Sequence, residues 1–141
     1  MSENIYQQGI KVLAAAEHGA GHVENADATV TQDNPLCGDR VTLELKLQNG
    51  RITALSHNVR GCLLCRAAAS AIGEVAVGLL VADVEAVQME VAAMLKGEAL
   101  PDWPVRWQSL SLFKPVQAHK SRHNCVLLPF KALIAACSQR H

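Results

Sequence analysis

The chain has 141 residues, half of them apolar and 18% charged, with a formal net charge of zero. That is enough for one globular domain with a hydrophobic core and too little for two, so residues 1–141 are read as a single domain. The charge balance and the scarcity of aromatic residues (4%) argue against a nucleic-acid-binding surface.

Residues 3–17 read as a helix, with Ser2 as N-cap and Gly19 and Gly21 as breakers. The acidic and polar residues at the start of this stretch do not suit a signal peptide. Residues 18–22 (HGAGH) are then a loop, and residues 26–32 a strand. Asn34-Pro35-Leu36-Cys37-Gly38-Asp39 has the composition of a tight turn. From Val41 the pattern alternates, with Val41, Leu43, Leu45 and Leu47 on one face of a strand. Asn49-Gly50 is a hairpin signal, and Ile52 to Val59 returns as the second arm. Cys62 to Val81 is apolar, rich in alanine and free of proline, and reads as one long buried helix. Asp83 is expected to cap the next helix, which runs to about Lys96 and ends at Gly97. Leu100 to Pro104 reads as a loop and residues 105–112 as a short helix. A final helix is expected from about Arg122 to Cys137, with Pro129 kinking it or marking a later start. The order implies an α+β fold: a three-stranded antiparallel sheet with helices packed on one face. No apolar run approaches the roughly 18 residues of a membrane span, so a cytoplasmic location is expected.

Five cysteines stand at 37, 62, 65, 125 and 137. In a reducing compartment such an odd set points to ligands or reactive thiols rather than disulfides. Cys37 and Asp39 flank Gly38, so a bend there turns both side chains to one volume. Cys62 opens a helix, where unpaired N–H groups and the dipole favour a thiolate. Cys125 lies near another helix start, three residues after Arg122. Three thiolates and one carboxylate suit tetrahedral zinc. A [2Fe–2S] cluster ordinarily takes four cysteines, and an aspartate in one position makes a harder, more labile ligand. Each element also has a plainer reading. Cys-Gly-Asp alone is a turn, Asp39 alone a solvated residue, and Cys125 or Cys137 alone a core residue. Cys62-Leu-Leu-Cys65 has the spacing of redox motifs and of half a zinc site. His18, His22, His57 and His119 read as solvated; His123 stands out because it is two residues from Cys125.

Taken together, Asn34-Pro-Leu-Cys-Gly-Asp39, Arg60-Gly-Cys62, Ala67-Ala-Ala-Ser70 and Arg122-x-x-Cys125 with Leu128, Ala132 and Leu133 resemble the NifU/IscU/SufU family of iron–sulfur scaffold proteins. The long interval from Cys62 to Cys125 is similar to that of the SufU branch. The resemblance implies a SufE/NifU-like scaffold fold and a non-enzymatic role in iron–sulfur cluster assembly. Cys37, Asp39, Cys62 and Cys125 would be the ligands of iron, of a labile [2Fe–2S] cluster or of Zn2+. It implies a cysteine desulfurase as sulfur donor and apo iron–sulfur proteins as acceptors, with the oligomeric state left open. Cys37, in an accessible turn, is the expected sulfur acceptor and stands in the catalytic position. The alternatives are a zinc-dependent sulfurtransferase partner of a desulfurase and a thiol redox protein using Cys62 and Cys65. The chain departs from the family in three places, of which one is residues 119–122 (HKSR), which lack the Phe-Pro usual in the SufU branch. Residues 12–18 (VLAAAEH) replace an Asp-His-Tyr…Asn-Pro-Arg segment. Cys65 is an additional thiol, expected one helical turn from Cys62 on the same face, where it can serve as a fifth ligand or a resolving thiol.

Overall fold

The computed structural model describes residues 7–36, 38–98 and 105–139. Cys37, the Leu100–Pro104 loop, and Ser2 with the first residues of the expected N-terminal helix lie outside the described residues. Helix α1 spans Gln8–Ala16 and buries Ile10, Leu13 and Ala14. Three strands follow: β1 (Ala28–Asn34), β2 (Asp39–Gln48) and β3 (Arg51–Arg60). They form one antiparallel sheet in the order β1-β2-β3. Asn49 and Gly50 join β2 to β3 with φ of 55° and 78°, the left-handed pair that a two-residue hairpin turn requires.

The alternation seen in the sequence governs which face is covered. Asp39, Val41, Leu43 and Leu45 of β2 are buried, whereas Arg40 is exposed and Thr42, Glu44 and Lys46 are half-buried. A bulge between Lys46 and Leu47 leaves Leu47 half-buried at the end of that face. The opposite face is polar: Thr31 and Thr42 hydroxyls meet at 3.1 Å, and Arg40 donates to Asp33 at 2.7 Å. Helices α2 (Leu63–Val75), α3 (Val81–Leu95) and α4 (His123–Gln139) complete the regular elements. Of these, α4 packs on β1 and β2, and α2 on β3. Among the described residues no helix is long and apolar enough to cross a membrane.

Three expectations are corrected here. The run from Cys62 to Val81 is not one helix. It stops at Val75, and Gly78 turns the chain with φ of 99°. The segment after it bonds to the hairpin end: Gly78 N–H to the Ile52 carbonyl, Ile52 N–H to that of Leu79, both at 2.8 Å. Gly73 is carried within α2, whereas Gly78, in the left-handed region beside a sheet edge with free bonding groups, divides the run. Asp83 is not the cap but the third residue of α3, where its carboxylate accepts the Leu80 N–H at 3.1 Å. The short helix over 105–112 is a longer 3-10 helix, Val105–Ala118, that runs through Pro115. Its buried residues Trp107, Leu110, Phe113 and Val116 recur every third position, which three residues per turn bring into one line. Pro129 lies inside α4, which begins at His123 and not later.

His57, expected at the surface, is buried. Residues 19–21 run beside β3: His57 N–H donates to Gly19 O at 2.9 Å, and Gly21 N–H to His57 O at 3.1 Å. The imidazole Nε2 lies 2.7 Å from the His18 carbonyl. Desolvation lowers its pKa from the ordinary value, against the backbone carbonyls of His18 and Ala69, which favour the charged form. An unfolded chain therefore binds a proton that the folded one resists, so stability is full above about pH 6.5 and declines as pH falls below it. Urea midpoints should drop between pH 7.5 and pH 5, and a His57→Gln variant should show a flatter profile. Equal slopes in the two proteins would refute the assignment.

Candidate metal centre

Three elements bring the site together at one end of the sheet. Asp39 is the first residue of β2, in phase with Val41 and Leu43, so its side chain points to the helical side. Only 1% of it is exposed. Cys62 is the N-cap residue of α2, with extended φ and ψ of −73° and 167°, and is half-buried. Cys125 is the third residue of α4 and is fully buried. A carboxylate oxygen of Asp39 and the Sγ atoms of Cys62 and Cys125 all lie within 4.8 Å of one another.

The preceding turn is tied down by Asn34. Its carbonyl accepts the Gly38 N–H at 2.8 Å, and its Oδ1 accepts the Leu36 N–H at 3.3 Å. Gly38 sits at φ 74°, with open space around it. The sequence predicted this turn but not the part played by the Asn34 side chain, whose signal was the Asn-Pro pair. Leu36 is 91% exposed at the tip.

Asp39 is held by α2 as well as by its own strand. Its Oδ1 accepts the Cys62 backbone N–H at 2.9 Å, and Oδ2 lies 3.8 Å from Cys62 Sγ. This satisfies one of the N–H groups that a helix start leaves without an internal partner. Gly61 permits the approach. A Cβ there would stand 2.8 Å from Asp39 Cγ and closer still to Oδ1. The requirement is for space, not for an unusual backbone angle, and sequence reasoning had no signal for it beyond adjacency to Cys62.

The other expected residues are distributed differently. Cys65, expected as a further ligand, is fully buried in the core and is not in the 4.8 Å group formed by Asp39, Cys62 and Cys125. Cys137 is a core residue. His123 turns from the site: its Nε2 lies 3.1 Å from the carbonyls of both Val116 and Gln117, at the end of the 3-10 helix. His22 is paired with Glu44 across 2.8 Å. Glu44 is held below the usual carboxylate range, chiefly by the Val23 N–H.

The donor chemistry fits a metal. Tetrahedral zinc places sulfur and oxygen ligands about 3.5 Å apart, close to the 3.8 Å between Cys62 Sγ and Asp39 Oδ2. A carboxylate and two thiolates so close repel one another in the absence of a cation, and burial strengthens that repulsion. An open basin of about 620 Å3 lined by Asp33, Asn34, Pro35, Gly38, Asp39, Arg40 and Arg60 gives access from the end of the sheet. Arg40 and Arg60 face each other across β2 and β3, and Arg40 is paired with Asp33.

Comparison with known proteins agrees with this architecture. The family described as NifU-like N terminal domain matches residues 6–125. A protein described as iron-sulfur cluster assembly scaffold protein IscU, from Thermotoga maritima, is 25% identical over 129 residues, 92% of this chain and 89% of its own. IscU 1 of Archaeoglobus fulgidus is 36% identical over 58 residues, which cover 41% of this chain and 38% of that one. The crystal structure of a NifU-like protein (N-terminal) from Brucella abortus superposes with a TM-score of 0.91 at 30% identity, covering 97% of this chain and 94% of the other. A SUF-system scaffold from Fervidobacterium islandicum, described as putative, shares the fold, with a TM-score of 0.87 at 24% identity over 97% and 99% of the two chains.

Proposed function

The chain belongs to the NifU-like N-terminal domain family of iron–sulfur cluster assembly scaffolds, and from that premise we propose that its own site carries both iron and sulfur. In this reading Cys37, Asp39, Cys62 and Cys125 hold the cargo, first as a metal ion and then as a labile [2Fe–2S] cluster. Cys37, in the turn that Asn34 braces, accepts sulfur from a cysteine desulfurase, and the finished cluster passes to apo acceptor proteins in the cytoplasm. The observation that carries the reading is the convergence of Asp39, Cys62 and Cys125 within 4.8 Å. Asp39 is the hard ligand of the set. The Cys62 N–H bonded to one of its oxygens draws charge away from the metal, which favours release.

The test is the metal and acid-labile sulfide content of protein purified without oxygen, before and after reconstitution with iron, sulfide and a reductant. Cluster absorption that disappears in Cys37→Ser supports the scaffold. The compactness of the three donors also favours a single ion at rest, and hence the rival in which zinc is retained and only sulfur is passed on. One tightly held zinc, no cluster and stimulated desulfurase turnover would decide for that rival.

Metal binding should also be visible in stability. At a thousandfold excess over its dissociation constant, zinc should add about 4 kcal/mol to unfolding. For a chain of this length that raises Tm by roughly 8–16 °C. Differential scanning calorimetry with zinc and with a chelator reads this directly; coincident melting curves would argue against a folded-state metal site.

A further inference from the structure

We propose that Cys65 is a resolving thiol that releases sulfane sulfur from Cys62 as sulfide, making the start of α2 a persulfide-reducing site. The proposal rests on the reading above, in that sulfur must reach Cys62 from a persulfide donor or from Cys37.

The geometry is that of a reactive pair split between outside and inside. Cys62 is the N-cap residue of α2, and Cys65 is its third helical residue. The Cys62 sulfur makes no capping bond and is turned to Asp39 Oδ2 at 3.8 Å, so rotation about its side chain is what brings it over the first turn toward Cys65. Cys62-Leu-Leu-Cys65 has the Cys-x-x-Cys spacing of thiol redox motifs, with the first cysteine at the start of a helix. The extended backbone at Cys62 frees its side chain from the helical rotamer restriction that would hold the two apart. Cys62 is half-buried and can meet a donor, whereas Cys65 is fully buried beside Leu64, Ala67, Ala68 and Ala69. A thiol from solution reaches the outer sulfur of a Cys62 persulfide more easily than its inner one. Cys65, fully buried, lies on the inner side. Cys65 is also the thiol next to the ligand group that does not belong to it.

The chemistry balances without an external oxidant. The Cys62 thiolate attacks the terminal sulfur of the donor persulfide, the donor S–S bond breaks, and the donor leaves as thiolate. Cys65 sulfur then attacks Cys62 Sγ. The Sγ–S bond breaks, its electron pair goes to the terminal sulfur, and with the Cys65 proton this leaves as hydrogen sulfide. The sulfane sulfur is reduced by two electrons, and the two cysteines are oxidised to a disulfide. A dithiol reductant resets the pair and returns Cys62 to the ligand set.

The experiment uses metal-free, full-length protein treated anaerobically with inorganic polysulfide, desalted, and read by intact mass, peptide mapping and sulfide release. The wild type should hold a Cys62–Cys65 disulfide and no persulfide on Cys62. Cys65→Ser should keep one extra sulfur on Cys62 and release sulfide at least about tenfold more slowly. Cys65→Ala serves the same purpose if a buried hydroxyl disturbs folding. A wild type that keeps its Cys62 persulfide, or a Cys65 variant that loses it at the wild-type rate, overturns the proposal. Metal content of untreated wild-type protein is read separately, so failure of the scaffold reading is distinguishable from failure of this one.

Discussion

Cys125→Ser should reduce bound metal from one ion per chain to near zero. Cys125 is fully buried in the first turn of α4, and its sulfur is one of three donor atoms clustered within 4.8 Å. Serine keeps the shape but offers a neutral hydroxyl, which binds zinc or iron far more weakly than a thiolate. Loss of a partner outside the ligand sphere costs about 10–100-fold in affinity, so loss of a ligand should exceed about 100-fold. Folding must be separated from binding, because a buried hydroxyl by itself costs about 1–3 kcal/mol. Cys137→Ser is the control. Cys137 lies twelve residues further along α4, about 18 Å away along the helix axis, in the core. Both variants should lose a comparable amount of metal-free stability, but only Cys125→Ser should lose metal. Emission spectrometry and urea unfolding of the metal-free proteins measure the two effects. Wild-type metal content in Cys125→Ser would remove Cys125 from the site.

Gly61→Ala should weaken metal binding by about 10–100-fold without touching a ligand. The added methyl would stand 2.8 Å from Asp39 Cγ, so the carboxylate must move. In moving, it gives up the 2.9 Å bond from the Cys62 N–H, a charged hydrogen bond worth about 1.5–3 kcal/mol. The metal-free variant should melt roughly 3–12 °C lower, at about 2–4 °C per kcal/mol. The double variant with Asp39→Ala discriminates among causes. Shortening residue 39 removes the two closest contacts and leaves only its Cβ, 3.1 Å from the new methyl, so the stability losses should be non-additive while metal binding remains weak. Additive losses would mean that Gly61 acts through its backbone and not through Asp39.

The order of elements, the hairpin and the covered face of the sheet were legible because they rest on short-range rules. Alternation in β2 is a property of Val41 to Leu47 themselves, and Asn49-Gly50 supplies the turn whatever surrounds it. The same phase, extended back to Asp39, turns its carboxylate toward the helices. Four of the five cysteines lie in the described residues, and their differing fates were not legible. Cys125 and Cys137 share one apolar helix, and Cys62 and Cys65 share one helical turn; of each pair one sulfur belongs to the 4.8 Å group with Asp39.

The sequence by itself determined the α+β order of elements, because residue type and local period carry that information, while the scaffold family was legible only through the resemblance of its motifs. Only the tertiary structure brings the Cys62 and Cys125 sulfurs within 4.8 Å of the Asp39 carboxylate. That depends on where α2 and α4 begin against the edge of the sheet, and on whether residue 61 leaves room for a carboxylate. It also decided that Gly78 divides an apolar run that looked continuous, and that residues 19–21 cover His57. In each case the cause is a contact between segments distant in the chain, and no local pattern encodes its distance.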